Sequence, residues 1–182
     1  MHKGSNRRTI RLRDYNYSLP GDYFITVCTK GKRCLFGYII DGKMIPNHLG
    51  RTIEKEILNM PQRFRDVNVD IYSVMPNHVH MILSILCNNN VGATLAVARG
   101  QDRAGASPAP TIGDIVGSFK SLCFKKHREY ILSNGFDVEI DFWQRNYYEH
   151  IIRNEKAYNE IYAYIESNSQ IWERDSNNQT NL

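Results

Sequence analysis

Met75-Pro76-Asn77-His78-Val79-His80-Met81-Ile82-Leu83-Ser84-Ile85 is the stretch from which the rest of the chain can be read. Side chains two apart along a strand share a face, so His78 and His80 point the same way with Cα atoms roughly 6.5–7 Å apart. Val79, Met81, Leu83 and Ile85 then fill the opposite face. Two neutral imidazoles at that separation can share one metal ion. Pro76-Asn77 breaks the preceding strand and suits a turn, which makes residues 69–75 the first arm of a hairpin and the histidines the start of the second. The plain alternative is a pair of polar residues on a solvated strand face, so the remaining ligand and a chemical purpose must come from elsewhere in the chain.

Upstream, Asp22-Tyr23-Phe24-Ile25-Thr26-Val27-Cys28-Thr29 is aromatic and β-branched and reads as a first, central strand. Residues 35–40 and 43–45 flank Asp41-Gly42, a dipeptide that tolerates the positive φ of a tight hairpin turn. Leu49, Ile53, Ile57, Met60 and Phe64 draw one apolar stripe along a helix ending near Pro61. Residues 67–75 return as a strand into the histidine arm. Downstream, the composition changes to small residues without a period, so residues 88–110 are expected to be a flexible inserted loop. Thr111-Ile112-Gly113-Asp114 resembles a capping box opening a second long helix, whose outer face carries Lys120, Lys125, Lys126, His127 and Arg128. Residues 141–153 read as a last strand region, and Asn154 with Glu155 opens a third helix.

The length of 182 residues suits one α/β domain over residues 1–182, large enough to bury a core without disulfides or structural zinc. Cys28, Cys34, Cys87 and Cys123 form no CxxC pair, which removes a zinc ribbon and a disulfide framework and fits a reduced cytoplasm. No apolar run approaches the ~20 residues that cross a bilayer, so no membrane partner is expected. The net charge of +4 is mild. Its distribution is not: Arg7, Arg8, Arg11 and Arg13 cluster at one end, and Lys120, Lys125 and Lys126 in another segment. Clustered cations attract a polyanion more strongly than the net value suggests, although a solvated basic surface would look the same.

In the last helix, Tyr164 and Asn168 are one turn apart beside the Ala157, Ile161 and Ile165 stripe, so both can reach one point on the sheet. If that point is the His78/His80 face, two imidazole nitrogens, an amide oxygen and a phenol converge there. Such a set suits a divalent ion with positions open for a phosphate, and a phenol able to attack phosphorus. A tyrosine packing at the edge of the core would have the same sequence signature.

The ordered combination of residues 75–80, Trp143-Gln144-Arg145-Asn146-Tyr147-Tyr148-Glu149-His150-Ile151-Ile152-Arg153 and Tyr164-Ile165-Glu166-Ser167-Asn168 resembles the REP-associated tyrosine transposases, single-tyrosine members of the HUH endonucleases. The resemblance runs from about Arg7 to Asp175 outside the 88–110 loop. It implies a ferredoxin-like α+β fold, an antiparallel sheet of four to five strands with helices packed on it. It also implies His78, His80 and Asn168 as metal ligands, Tyr164 as the nucleophile and Mg²⁺ or Mn²⁺ as the cofactor. The reaction implied is cleavage and rejoining of single-stranded or hairpin DNA through a 5′-phosphotyrosine, at palindromic repeats, by a monomer or homodimer associated with the nucleoid. The basic arm of Arg7, Arg8, Arg11 and Arg13 is the candidate grip on that DNA, with Lys120, Lys125 and Lys126. Two other readings are a non-catalytic nucleic-acid-binding module of the same fold and a metal-dependent hydrolase of small phosphoesters.

Overall fold

The computed structural model of the chain describes residues 16–86, 110–137 and 141–178. Arg7, Arg8, Arg11 and Arg13 and residues 88–109 of the expected loop lie outside them. In chain order the elements are β1 (Gly21–Cys28), β2 (Gly37–Ile40), β3 (Lys43–Pro46), α1 (His48–Leu58), α2 (Met60–Arg63), β4 (Val67–Val74), β5 (His78–Ile85), α3 (Ile112–Ser133), β6 (Tyr148–Ile152) and α4 (Glu155–Ser167), followed by a 3₁₀ helix over Asn168–Arg174.

Four strands form one sheet in the order β4-β5-β1-β6, and every neighbouring pair is antiparallel. With α1 between β1 and β4 and α3 between β5 and β6, this is the β-α-β-β-α-β plan of ferredoxin-like folds with α4 added. The expected first strand lies inside the sheet, as its apolar content requires. The strands β2 and β3 make a separate hairpin. Asp41 and Gly42 at its turn have φ of 49° and 71°, the pair of positive values that a two-residue type I′ turn needs.

Alternate residues of the central strands serve two cores. Tyr23, Ile25 and Val27 of β1 and Val79, Met81, Leu83 and Ile85 of β5 pack with Leu49, Ile53 and Ile57 of α1 and Ile115, Val116 and Phe119 of α3. On the other face Ile82 and Ile152 meet Ile165 of α4, with Phe24, Ile71 and Ile161 around them. All eight residues of β5 are consequently buried. The histidine face is therefore not a solvated one, because α4 covers it.

Two expected boundaries move. The helix expected to end near Pro61 is broken at Asn59, and Pro61 sits in the first turn of α2, where its missing N–H costs nothing. The expected last strand over residues 141–153 keeps ladder pairing only in β6 and at a single bridge between Thr29 and Trp143. Phe142 and Trp143 turn their rings into the core, 1% and 8% exposed, and Lys120 Nζ takes up the carbonyls of Gln144 and Arg145 at 2.6 and 3.0 Å. With those carbonyls bound by a side chain, the segment has no need of a strand partner there.

The end caps are as the sequence signals. Thr111 and Asp114 form a reciprocal capping box on α3, and Asn154 Oδ1 accepts from Ala157 N at 2.9 Å. Asn47 caps α1 by accepting from Gly50 N at 3.0 Å, and this draws Gly50 so near the hairpin that a Cβ would stand 2.2 Å from the Phe36 carbonyl oxygen. Gly50→Ala is therefore expected to destabilise the fold by about 1–3 kcal/mol through overpacking. Urea unfolding should show a lower midpoint at unchanged slope.

Candidate metal centre and nucleophile

Both histidines occupy β5, opposite Cys28 and Thr26 of β1. Register alone thus places a threonine hydroxyl beside His80, and Thr26 Oγ1 lies 2.8 Å from His80 Nδ1. On His78 the outer nitrogen is held by its neighbour in sequence: Asn77 Oδ1 lies 2.8 Å from His78 Nδ1. Asn77 Nδ2 donates to two carbonyls, Lys32 O at 2.9 Å and Asn177 O at 2.8 Å, which fixes its oxygen as the acceptor. His78 Nδ1 must therefore carry the ring proton, and Nε2 presents a lone pair. A hydrogen bond at the outer nitrogen that leaves the inner one free is how proteins orient an imidazole ligand.

His78 Nε2 faces Asp175 Oδ2 at 3.7 Å, with both side chains fully buried. No ion pair joins them. Burial and the nearby Lys32 charge push the His78 pKa down to about 3, and burial with His78 beside it does the same for His80. Neither His78 Nε2 nor Asp175 Oδ2 has a hydrogen-bond partner. Two lone pairs facing each other in a dry site repel unless a cation lies between them. Ligand atoms of His78, His80 and Asp175 lie within 4.8 Å of one another, a group able to hold a metal ion. Nitrogen donors with a carboxylate suit Zn²⁺, Mn²⁺ or related divalent ions.

Asp175 was not among the residues the sequence singled out. It caps the 3₁₀ helix that follows α4, and its Oδ1 accepts from Asn177 N at 2.6 Å, which turns Oδ2 inward. No period or motif marks such a turn residue; an aspartate shortly after the helix bearing Tyr164 was the available signal. Asn168 is fully buried and neither of its amide atoms is hydrogen-bonded. It lies near enough to the Tyr164 phenol to favour its ionised form without making a full hydrogen bond to it.

Tyr164 projects from α4 to the same point, its hydroxyl 3.2 Å from His80 Nε2. Phe24 holds both partners, stacked on the His80 ring at 5.2 Å and edge-on to the Tyr164 ring at 6.3 Å. Burial and the Asp175 charge raise the Tyr164 pKa. The other candidate tyrosines stand elsewhere: Tyr147 packs on the larger core, Tyr148 lies against Phe24 and is 44% exposed, Tyr158 donates to Asp70 Oδ2 at 3.0 Å, and Tyr162 stacks on Tyr158.

The lysines of α3 divide. Lys120 is bound to the 144–145 carbonyls, Lys126 pairs with the fully buried Glu56 carboxylate together with Arg63, and Lys125 is exposed. Two of the three expected DNA contacts therefore already have partners within the chain.

Fold and site define an α+β protein whose antiparallel sheet carries a buried group of two histidines and an aspartate, with a tyrosine hydroxyl at its edge. An uncharacterized protein of Haemophilus influenzae strain Rd is 43% identical over 171 residues, covering 93% of this chain and 92% of that protein, and the chain belongs to the same family. No protein-family model matches. Among solved structures, a REP-associated tyrosine transposase bound to a REP hairpin aligns over 87% of this chain and 72% of its own, at 18% identity and a TM-score of 0.48. A protein of Deinococcus radiodurans R1 described as a candidate transposase aligns over 86% of this chain and 95% of its own, at 16% identity and a TM-score of 0.47. Among the described residues, no helix is long and apolar enough to cross a membrane.

Two measurements check this geometry. Histidines with an ordinary pKa near 6.5 when unfolded and about 3 when folded bind fewer protons in the native state, so stability falls as pH drops from 6.5 toward 3. At pH 5 each should cost roughly 1–2 kcal/mol relative to pH 7, and His78→Gln with His80→Gln should flatten that part of the pH dependence of thermal unfolding. An unchanged profile would mean the imidazoles are not held neutral. Thr26→Val keeps the shape and deletes the His80 Nδ1 partner; Mn²⁺ affinity by calorimetry should fall about tenfold or more.

Proposed function

We propose that this protein is a metal-dependent, single-strand DNA endonuclease of the REP-associated tyrosine transposase type, which cleaves and rejoins strands through a 5′-phosphotyrosine. One observation carries the reading: the Tyr164 hydroxyl stands 3.2 Å from His80 Nε2, beside a buried histidine–aspartate group with unpaired lone pairs. A tyrosine packed only for stability has no need of that neighbour.

His78, His80 and Asp175 are the side chains proposed to hold the ion, with Asn168 supplying an amide oxygen to the same shell. A bound Mg²⁺ or Mn²⁺ would polarise a phosphodiester and offset the Asp175 charge, which after burial is the second influence raising the Tyr164 pKa. The chain's own residues do the positioning. Thr26 and Asn77 hold the outer imidazole nitrogens, and Phe24 fixes the planes of His80 and Tyr164. Ile165, 1% exposed, anchors the helix next to the nucleophile. The Tyr164 oxygen attacks phosphorus, the 3′-oxygen leaves as a hydroxyl, and the phosphotyrosine keeps the bond energy needed to rejoin a strand, so no nucleotide triphosphate is required. A hydrolase of small phosphoesters would use water there and leave Tyr164 idle.

Single Tyr→Phe variants at Tyr147, Tyr148, Tyr158, Tyr162 and Tyr164, incubated with labelled hairpin DNA bearing a single-stranded flank and Mn²⁺, test the assignment on a denaturing gel. Only Tyr164→Phe should lose the protein–DNA band while keeping its melting temperature and DNA affinity. A band that survives in Tyr164→Phe and vanishes in Tyr148→Phe moves the nucleophile to β6; no band in the unaltered protein removes covalent chemistry.

A further inference from the structure

At the end of the sheet where Cys28 faces His78, the chain builds a second feature. β1 runs on through Thr29 into the turn Lys30–Lys32, and residues 142–144 fold back beside it: Thr29 bridges Trp143, Lys30 N donates to Phe142 O at 2.8 Å and Gln144 N to Cys28 O at 2.9 Å. Between them lies a cavity of about 660 Å³, lined by Lys30, Lys32, Asp141, Trp143, Gln144 and Arg145. That is the size of a site for a ligand of many atoms.

Its charge is one-sided. Asp141 is the single carboxylate of the lining, and it pairs with Lys30 at 3.4 Å. Lys32 Nζ donates to a neutral carbonyl, Ser176 O, at 3.1 Å and forms no ion pair among the described residues. The Arg145 guanidinium has no partner among the described residues. Lys120, gripping the carbonyls of Gln144 and Arg145, adds a cation behind the wall. Trp143, whose buried indole N–H has no acceptor among the described residues, forms part of the lining.

The cavity is also tied to the histidines. Lys32 holds a left-handed backbone, φ 51°, which is uncommon for a residue with a side chain and needs support from its surroundings. That support comes from Lys32 N bonded to Thr29 O at 3.1 Å and from Asn77, which takes the Lys32 carbonyl with the same amide that fixes His78. Resting on the proposed function, we propose that the Lys30–Lys32 turn and Arg145 form a phosphate-binding subsite that takes the backbone of a single DNA strand next to the phosphate presented to Tyr164. A strand held at both places would make two phosphate contacts, whereas a mononucleotide gains only one of them.

Arg145→Ala tests the subsite, because Arg145 is exposed and bonded through its side chain to nothing described. Binding of two fluorescent single-stranded oligonucleotides of different sequence is followed by anisotropy over a salt series, with Lys55→Ala, an exposed cation of α1 that does not line the cavity, as the control. The variant should bind both oligonucleotides several-fold more weakly, with the log–log salt slope reduced by about 0.7, the release of one counterion from a single strand. Mn²⁺ affinity, measured without DNA, should be unchanged. Equal affinity and slope for variant, control and unaltered protein would overturn the subsite, as would a loss confined to one sequence, which marks base readout. Competition by deoxythymidine monophosphate at oligonucleotide-like concentrations would overturn the strand assignment. If the unaltered protein binds the oligonucleotides without cleaving them and Arg145→Ala still binds more weakly, the subsite stands and the proposed reaction falls; if it binds neither oligonucleotide, both fall.

Discussion

Two buried lone pairs set against each other, on His78 Nε2 and Asp175 Oδ2 at 3.7 Å, are the constraint around which this structure is arranged. Such a contact costs free energy in a dry interior unless something positive relieves it. A proton on His78 would do so. Burial and the Lys32 charge hold the imidazole neutral, and the Asn77 oxygen has already claimed the ring proton at the other nitrogen. What remains is a place for a cation, reached from three separate parts of the chain.

Those parts are fixed by ordinary folding forces. The strand β5 is buried along its whole length, so its odd positions pack under α1 and α3 while its even positions face α4. The even set is mostly polar: His78, His80 and Ser84 share it with Ile82. Each polar member is met by a partner that strand pairing or a covering segment supplies. Thr26 from β1 meets His80, and Asp22 from β1 with Asp70 from the bulged β4 meets Ser84. Apolar burial through Ile82, Ile152 and Ile165 holds α4 down, and this brings Tyr164 to the histidines. Stability and the proposed chemistry therefore share one sheet face, with the small apolar cluster acting as the clamp.

Charge is distributed by the same logic. The cations of α3 suggest a phosphate-binding stripe, yet Lys126 neutralises a glutamate buried between helices and Lys120 closes off the carbonyls of a loop. An acid as deeply buried as Glu56 needs its cations, because an unpaired charge there would be far costlier than a surface pair is worth. Lys32 and Arg145, which form no ion pair among the described residues, line the cavity at the Lys30–Lys32 turn.

By itself the sequence determined what local patterns encode. Alternation along β5 put the two histidines on one face, the Asp41-Gly42 pair set the hairpin turn, the Thr111–Asp114 box began α3, and helical spacing put Tyr164 and Asn168 one turn apart. These features depend on neighbours within a few residues, which a sequence displays directly. The tertiary structure decided everything that depends on distant partners: that Asp175 turns its free oxygen toward His78, that Thr26 and Asn77 set the imidazole orientations, that residues 145–147 leave the ladder between the Trp143 bridge and β6, and which lysines find partners. Turn residues and long side chains carry no periodic signal. Their partners are chosen by which backbone groups and charges would otherwise be buried without one, and that choice exists only once the sheet, α4 and the chain after it are packed together.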